Sequence, residues 1–173
     1  MINLCRIIVF FMILVLISGE ARSQNQDVVP LCWKDLYMVS EKFEIPFGIM
    51  VLLLHHEGGA IGMKKKNANG TFDYGPYQIN SIHLKSEEFI KAGITADQLQ
   101  YNGRVNAVAA AYYLRKVGVS KYMDRIMDTV SRYHSFTPEH KDKYKKDFLR
   151  RMQSYKNVAS TIERANRRSP NEN

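Results

Sequence analysis

Glu57 stands where an apolar helix stops: Phe47 to His56 is almost wholly apolar before it, and Gly58-Gly59 follows at once. It continues the spacing Met50, Leu53, Leu54, which turns its carboxyl group toward apolar neighbours. Burial makes ionisation costly and raises a carboxyl pKa, and the unpaired carbonyls at a helix C-terminus push the same way. A carboxyl group that stays protonated near neutral pH is a general acid, able to protonate a leaving-group oxygen and to take a proton back afterwards. Position alone leaves a second reading open, in which a helix-end Glu swings out into solvent. Other combinations carry less. His55-His56-Glu57 has the start of a zinc helix, but His-Glu-x-x-His needs a second His where Ala60 stands, so no metal is expected. Cys32 and His134 have neither the local signature nor the activating neighbour of a thiol protease pair. Nothing in the pattern calls for a cofactor.

The elements that must position Glu57 read as mainly helical. Leu31 to Phe43 is an amphipathic helix with Cys32, Leu36, Val39 and Phe43 on one stripe, so Cys32 is expected to be a buried, inert thiol. Pro46 opens a second helix, which the apolar run makes the central one, buried nearly all round. After the Gly58-Gly59 break come a loop rich in Lys, Asn and Gly (Lys64 to Gly70) and an irregular stretch, Thr71 to Asn80, with a short hairpin at most. Irregular segments of that length inside compact domains are usually functional. Short helices are expected at Ser86 to Ala92 and at Thr95 to Leu99, the latter capped by Thr95. Val105, Val108, Ala109 and Tyr112 mark a helix ending near Lys116, and Tyr122, Ile126, Val130 and Tyr133 mark another. Thr137-Pro138 starts a last basic helix that runs to about Tyr155; residues 157–173 are expected to form a basic disordered tail.

Composition fits one globular domain, placed here at residues 24–156: 45% of the 173 residues are hydrophobic and 24% charged, too apolar for a disordered chain. The N-terminus reads as a signal peptide over residues 1–21, with Arg6 ahead of the unbroken apolar run Ile7 to Ile17 and small residues at Gly19 and Ala21. That run is shorter than the ~20 residues needed to cross a bilayer, although an uncleaved anchor is the other reading of it. Cleavage removes Cys5 and leaves Cys32 without an intramolecular disulfide partner. The expected location is therefore periplasmic or secreted, with no stable membrane span after cleavage. The formal charge of +8 is uneven, because from Lys141 onward ten basic residues face four acidic ones. Outside the cytoplasm its anionic partners would be wall polymers or lipid headgroups and not nucleic acid; a solvated helix face accounts for the same pattern.

Four segments occur in a familiar order: His55-His56-Glu57-Gly58-Gly59, Asp73-Tyr74-Gly75-Pro76-Tyr77-Gln78-Ile79-Asn80, the stretch Asn106 to Leu114, and Tyr133. Over about Leu31 to Tyr155 the chain resembles the lytic transglycosylase family, which is related to goose-type lysozyme. That family carries a catalytic Glu at a helix end, a Gly-Leu-Met-Gln-Ile-Asn-like segment, an Asn-x-x-x-Ala-Ala-x-Tyr-Leu helix and a late Tyr. Within it the chain is most similar to small exported enzymes that accompany type IV secretion, conjugation, pilus or invasion systems, through Cys32-Trp33 and through Tyr133-His134-Ser135 followed by Thr137-Pro138. Three departures stand out. Gly58 replaces the Ser that usually follows the Glu, Pro76-Tyr77 replaces Leu-Met, and the partner cysteine many relatives carry near Arg104 is missing.

The resemblance implies a lysozyme-like helical domain with a small irregular or hairpin segment beside an active-site cleft. It implies cleavage of the β-1,4 bond between N-acetylmuramic acid and N-acetylglucosamine in peptidoglycan, with a 1,6-anhydro product. Glu57 would be the catalytic acid and base, Gln78 and Asn80 would hold acetamido and hydroxyl groups, Tyr77 would be an apolar sugar platform, and Tyr133 would hydrogen-bond near Glu57. Peptidoglycan glycan strands are the implied partner, together with components of an envelope-spanning secretion or conjugation complex. A retaining or inverting hydrolase needs a second carboxylate, for which Asp73 is the nearest candidate in sequence; goose-type lysozymes carry one where this chain has Asn80, which favours the single-carboxylate route. The alternatives are a hydrolytic lysozyme and a non-catalytic, peptidoglycan-binding assembly factor.

Overall fold

A computed structural model of the chain describes residues 27–118 and 123–168. The expected signal segment 1–21, Tyr122 and residues 169–173 lie outside the described residues. The described part is mostly helical with one small sheet, the mainly-α class expected. In chain order the elements are α1 (Trp33–Lys42), α2 (Phe47–Glu57), β1 (Lys64–Lys66), β2 (Phe72–Tyr74), β3 (Ile79–Asn80), a 3-10 turn (Ser81–Lys85), α3 (Glu87–Lys91), α4 (Ala96–Tyr101), α5 (Gly103–Lys116), α6 (Met123–His134) and α7 (Pro138–Arg168). No helix among the described residues is long and apolar enough to cross a membrane.

Local chemistry sets most of these boundaries. Thr95 and Gln98 form a reciprocal capping box at the start of α4, and the Asn102 side chain accepts from the Val105 amide to open α5. Helix α2 starts after Pro46 and stops at Gly58, whose φ of 64° is a left-handed conformation that costs glycine little. Around α2 the core is built from Leu36 and Val39 of α1, Ile49, Met50 and Leu53 of α2, Leu114 of α5, Ile126 and Val130 of α6, and Tyr144 and Phe148 of α7. Helix α5 contributes Ala107, Ala109, Ala110 and Ala111, small side chains that let neighbouring backbones come close.

Four expectations change. Helix α2 is not buried nearly all round: Ile49, Met50 and Leu53 are buried, but Phe47, Gly48 and His55 are exposed because the helix ends lie at the protein surface. Lys64–Lys66, expected in a loop, form an edge strand, and the segment from 64 to 80 folds as a three-stranded antiparallel sheet in the order β1-β2-β3. The last helix continues past Tyr155 to Arg168, through the expected disordered segment, since no Gly or Pro interrupts the sequence before Pro170. Cys32 is exposed and not on the buried stripe, because it sits one residue before α1 as its N-cap. Its sulfur accepts from the Asp35 amide at 3.4 Å and donates to Asp35 Oδ2 at 3.1 Å.

Candidate active site

Glu57 is the last residue of α2, and the chain after it is held tightly against the sheet. A Cβ on Gly59 would fall 2.1 Å from the Gly75 carbonyl oxygen and 2.8 Å from that of Pro76, so only glycine lets the end of α2 lie on the turn between β2 and β3. Gly75 is equally constrained, with φ at 67° and space for a Cβ only 2.3 Å from the Leu99 carbonyl oxygen. Asn106 of α5, fully buried, clamps the same turn. Its Nδ2 donates to the carbonyls of Tyr74 and Leu99 at 2.8 Å each, and its Oδ1 accepts from the Tyr77 amide at 2.8 Å. All hydrogen-bonding capacity of that amide except one lone pair is thus spent on positioning backbone.

The sheet register carries side chains toward Glu57. Lys65 pairs with Asp73, and Asp73 with Asn80, so the three form one cross-strand row. They line a cleft of about 270 Å³ together with Glu57, Gln78, Ile79, His83, Tyr113, Tyr133 and His134. Asn80 is anchored within that wall, its Nδ2 donating to Asp73 Oδ1 at 2.7 Å and to Thr71 Oγ1 at 3.0 Å. Gln78 has φ of 49° and donates through Nε2 to the Gly75 carbonyl at 2.8 Å.

Glu57 is half-buried, and desolvation raises its pKa to about 7. A hydrogen bond from the Tyr144 hydroxyl to Oε1 works against that rise by favouring the carboxylate, the negative charge of Asp73 adds to it, and the positive charge of Lys65 reduces it. At neutral pH the group is therefore shared between its acid and its base form, the condition under which one carboxyl can give a proton and take one back. Burial lowers the pKa of His83 and of His134, so both imidazoles in the cleft are held toward the neutral form.

Of the expected site residues, Glu57, Gln78, Asn80 and Tyr133 meet in this cleft. Tyr77 does not. Its ring is fully buried and its hydroxyl donates to the Met50 carbonyl at 3.0 Å, so it fastens the turn to α2 and offers no platform to a ligand. Tyr133 donates to the Tyr77 carbonyl at 3.0 Å, and the hydroxyl bonded to Glu57 belongs to Tyr144 of α7. Sequence reasoning missed Tyr144, Lys65 and His83. Tyr144 carried a faint signal, lying on the apolar stripe of α7 with Phe148, but nothing in the sequence says which element that stripe faces.

Behind Glu57 a second hollow of about 290 Å³ is lined by His56, His134, His140, Lys143, Tyr144 and Asp147. Glu57 and His134 line both hollows, and Tyr144 lies in the second, stacked on His134 with ring centroids 4.6 Å apart and meeting His56 edge-on at 4.4 Å. Among the described residues no group of three or more His, Cys, Asp or Glu side chains is placed to hold a metal ion. No protein-family model and no curated protein sequence matches the chain.

Proposed function

We propose that the chain is a peptidoglycan lytic transglycosylase with a lysozyme-like domain, acting outside the cytoplasm after removal of its signal peptide. The observation that carries this reading is Glu57, a carboxyl group whose pKa burial raises to about 7, lining a polar cleft with residues of a small sheet and with tyrosines. In the acid form it protonates the glycosidic oxygen as the bond from that oxygen to the anomeric carbon of muramic acid breaks. The carbonyl oxygen of the sugar's own N-acetyl group attacks the anomeric carbon and carries the positive charge into an oxazolinium ring. Glu57, now a carboxylate, takes the proton of the 6-hydroxyl as O6 displaces the acetamido oxygen, which leaves a 1,6-anhydro sugar and returns Glu57 to its acid form. No water is consumed and no second carboxylate is required. Gln78 and Asn80 supply amide groups along the wall, and Tyr144 holds the Glu57 side chain in place. Local opening of the wall for a secretion, conjugation or pilus apparatus is the cellular role we propose, with components of that apparatus as partners.

A hydrolytic lysozyme is the second reading, and Asp73 favours it. This carboxylate lines the same cleft and is close enough to raise the Glu57 pKa. Hydrolysis needs such a second group, either to activate water or to attack the sugar. Against that role, Asp73 Oδ1 is engaged by Asn80. Product analysis separates the two. Purified wall treated with the protein should release muropeptides that mass spectrometry identifies as 1,6-anhydro forms, and Glu57→Gln should abolish release; reducing-end muramic acid would select the hydrolase. Wall binding with no soluble product from the wild-type protein would mean a binding factor that performs no chemistry.

A further inference from the structure

Strand β1 is the sequence Lys64-Lys65-Lys66, exposed at the edge of the sheet that walls the cleft. Lysines on an edge strand discourage unwanted strand addition, which accounts for the charge of the strand. It does not account for where the charges point. Side chains alternate along a strand. Lys64 lies over the rings of Phe72 and Tyr74, 4.6 Å and 5.8 Å from their centroids, whereas Lys65 belongs to the row with Asp73 and Asn80 and lines the cleft itself. Asp73 directly opposite does not neutralise it: Asp73 Oδ1 takes the Asn80 amide, and none of the three lysines forms an ion pair among the described residues. An unpaired cation at the wall of a substrate cleft, with two more beside it, is a site for an anionic group of the ligand.

Resting on the glycosidase reading above, we propose that Lys65, supported by Lys64 and Lys66, is a carboxylate-binding subsite for the peptide attached to muramic acid, so that the protein prefers glycan whose peptides carry free carboxylates to glycan whose peptide carboxylates are amidated. That peptide hangs from the lactyl ether of the very sugar whose anomeric carbon must sit at Glu57, and it bears free carboxylates. Pairing one of them with Lys65 also offsets the positive charge that biases Glu57 toward its ionised form, which leaves more of the acid form for the first proton transfer. Binding and chemistry are then linked through one side chain.

The test uses soluble peptide-bearing glycan chains of one length, with the peptide carboxylates free or converted to amides, so that the lactyl carboxyl stays masked in both and no other wall polymer is present. Wild-type protein should cleave the chains with free peptide carboxylates with kcat/KM about fivefold higher than the amidated ones, the size expected of one partly screened ion pair, and the preference should fall as salt rises. Lys65→Met should bring the ratio between the two substrates close to one, mainly through KM, and Lys65→Arg should restore it. Equal cleavage of both substrates by the wild-type protein, or a loss in Lys65→Met that is the same for both, overturns the subsite alone. If wild-type protein cleaves neither, the glycosidase reading falls and the subsite falls with it.

Discussion

Replacing Glu57 by Gln should stabilise the protein, and increasingly so as pH rises. The folded structure lifts the Glu57 pKa from an ordinary 4.5 to about 7. Between those values the folded chain binds more protons at this site than the unfolded chain, so the unfolding free energy falls as pH rises through the window and levels off above it. Each pKa unit corresponds to about 1.4 kcal/mol, so the ionised side chain costs about 3 kcal/mol at pH 8 and less than about 1 kcal/mol at pH 5. Gln matches the shape of the protonated carboxyl, and its amide oxygen still accepts from the Tyr144 hydroxyl, so packing is retained at low pH. Urea denaturation of both proteins at several pH values reads the difference directly; in melting temperature, about 3 kcal/mol corresponds to roughly 6 to 12 °C for a domain of this size. Because His56, His83 and His134 titrate alike in both proteins, the difference isolates Glu57. A stability difference that stays constant from pH 5 to pH 8 would refute the reasoning, since it would mean that Glu57 ionises in the folded protein as it does in the unfolded one. The experiment does not depend on any assumed substrate.

Three further outcomes follow from the same geometry. In Tyr144→Phe the ring and its stacking on His134 remain but the bond that favours the carboxylate is gone, so the Glu57 pKa should rise above about 7, by on the order of one unit, in a carbon-13 NMR titration; a fall would show that Tyr144 stabilises the acid form. Asn106→Ala leaves the Tyr77 amide and the carbonyls of Tyr74 and Leu99 without their partner in the interior, and should cost on the order of 3 kcal/mol in chemical denaturation, whereas a loss below about 1 kcal/mol would mean that water replaces all three bonds. Cys32 should react with a thiol reagent in the native protein without denaturant, and Cys32→Ala should lose at most about 0.5 kcal/mol of stability, because sulfur is a weak acceptor at the N-cap; a thiol that reacts only after unfolding would contradict its exposed position.

What the sequence determined by itself was whatever depends on neighbours a few residues apart. The apolar run before Glu57, the Gly58-Gly59 stop and the Thr95 cap are local signals, and the elements they mark formed where expected because helix start, stop and face are set within a turn or two. The stripe Met50, Leu53, Leu54 made desolvation of Glu57 one of two local readings, the other being a side chain swung out into solvent. Tertiary structure decided everything that depends on which surfaces meet. Tyr144 reaches Glu57 from 87 residues away, and Tyr77 is a core residue only because the β2-β3 turn is clamped by Asn106 and faces α2 inward. Lys65 enters the cleft because the pairing of β1 with β2 places it opposite Asp73; a slip of one residue would have turned it to the other side of the sheet. Cys32 misled for a related reason. A helical stripe drawn one residue too far assigns a capping position to the buried face, and at a helix end the backbone leaves the helical path, so periodicity no longer tells where a side chain points.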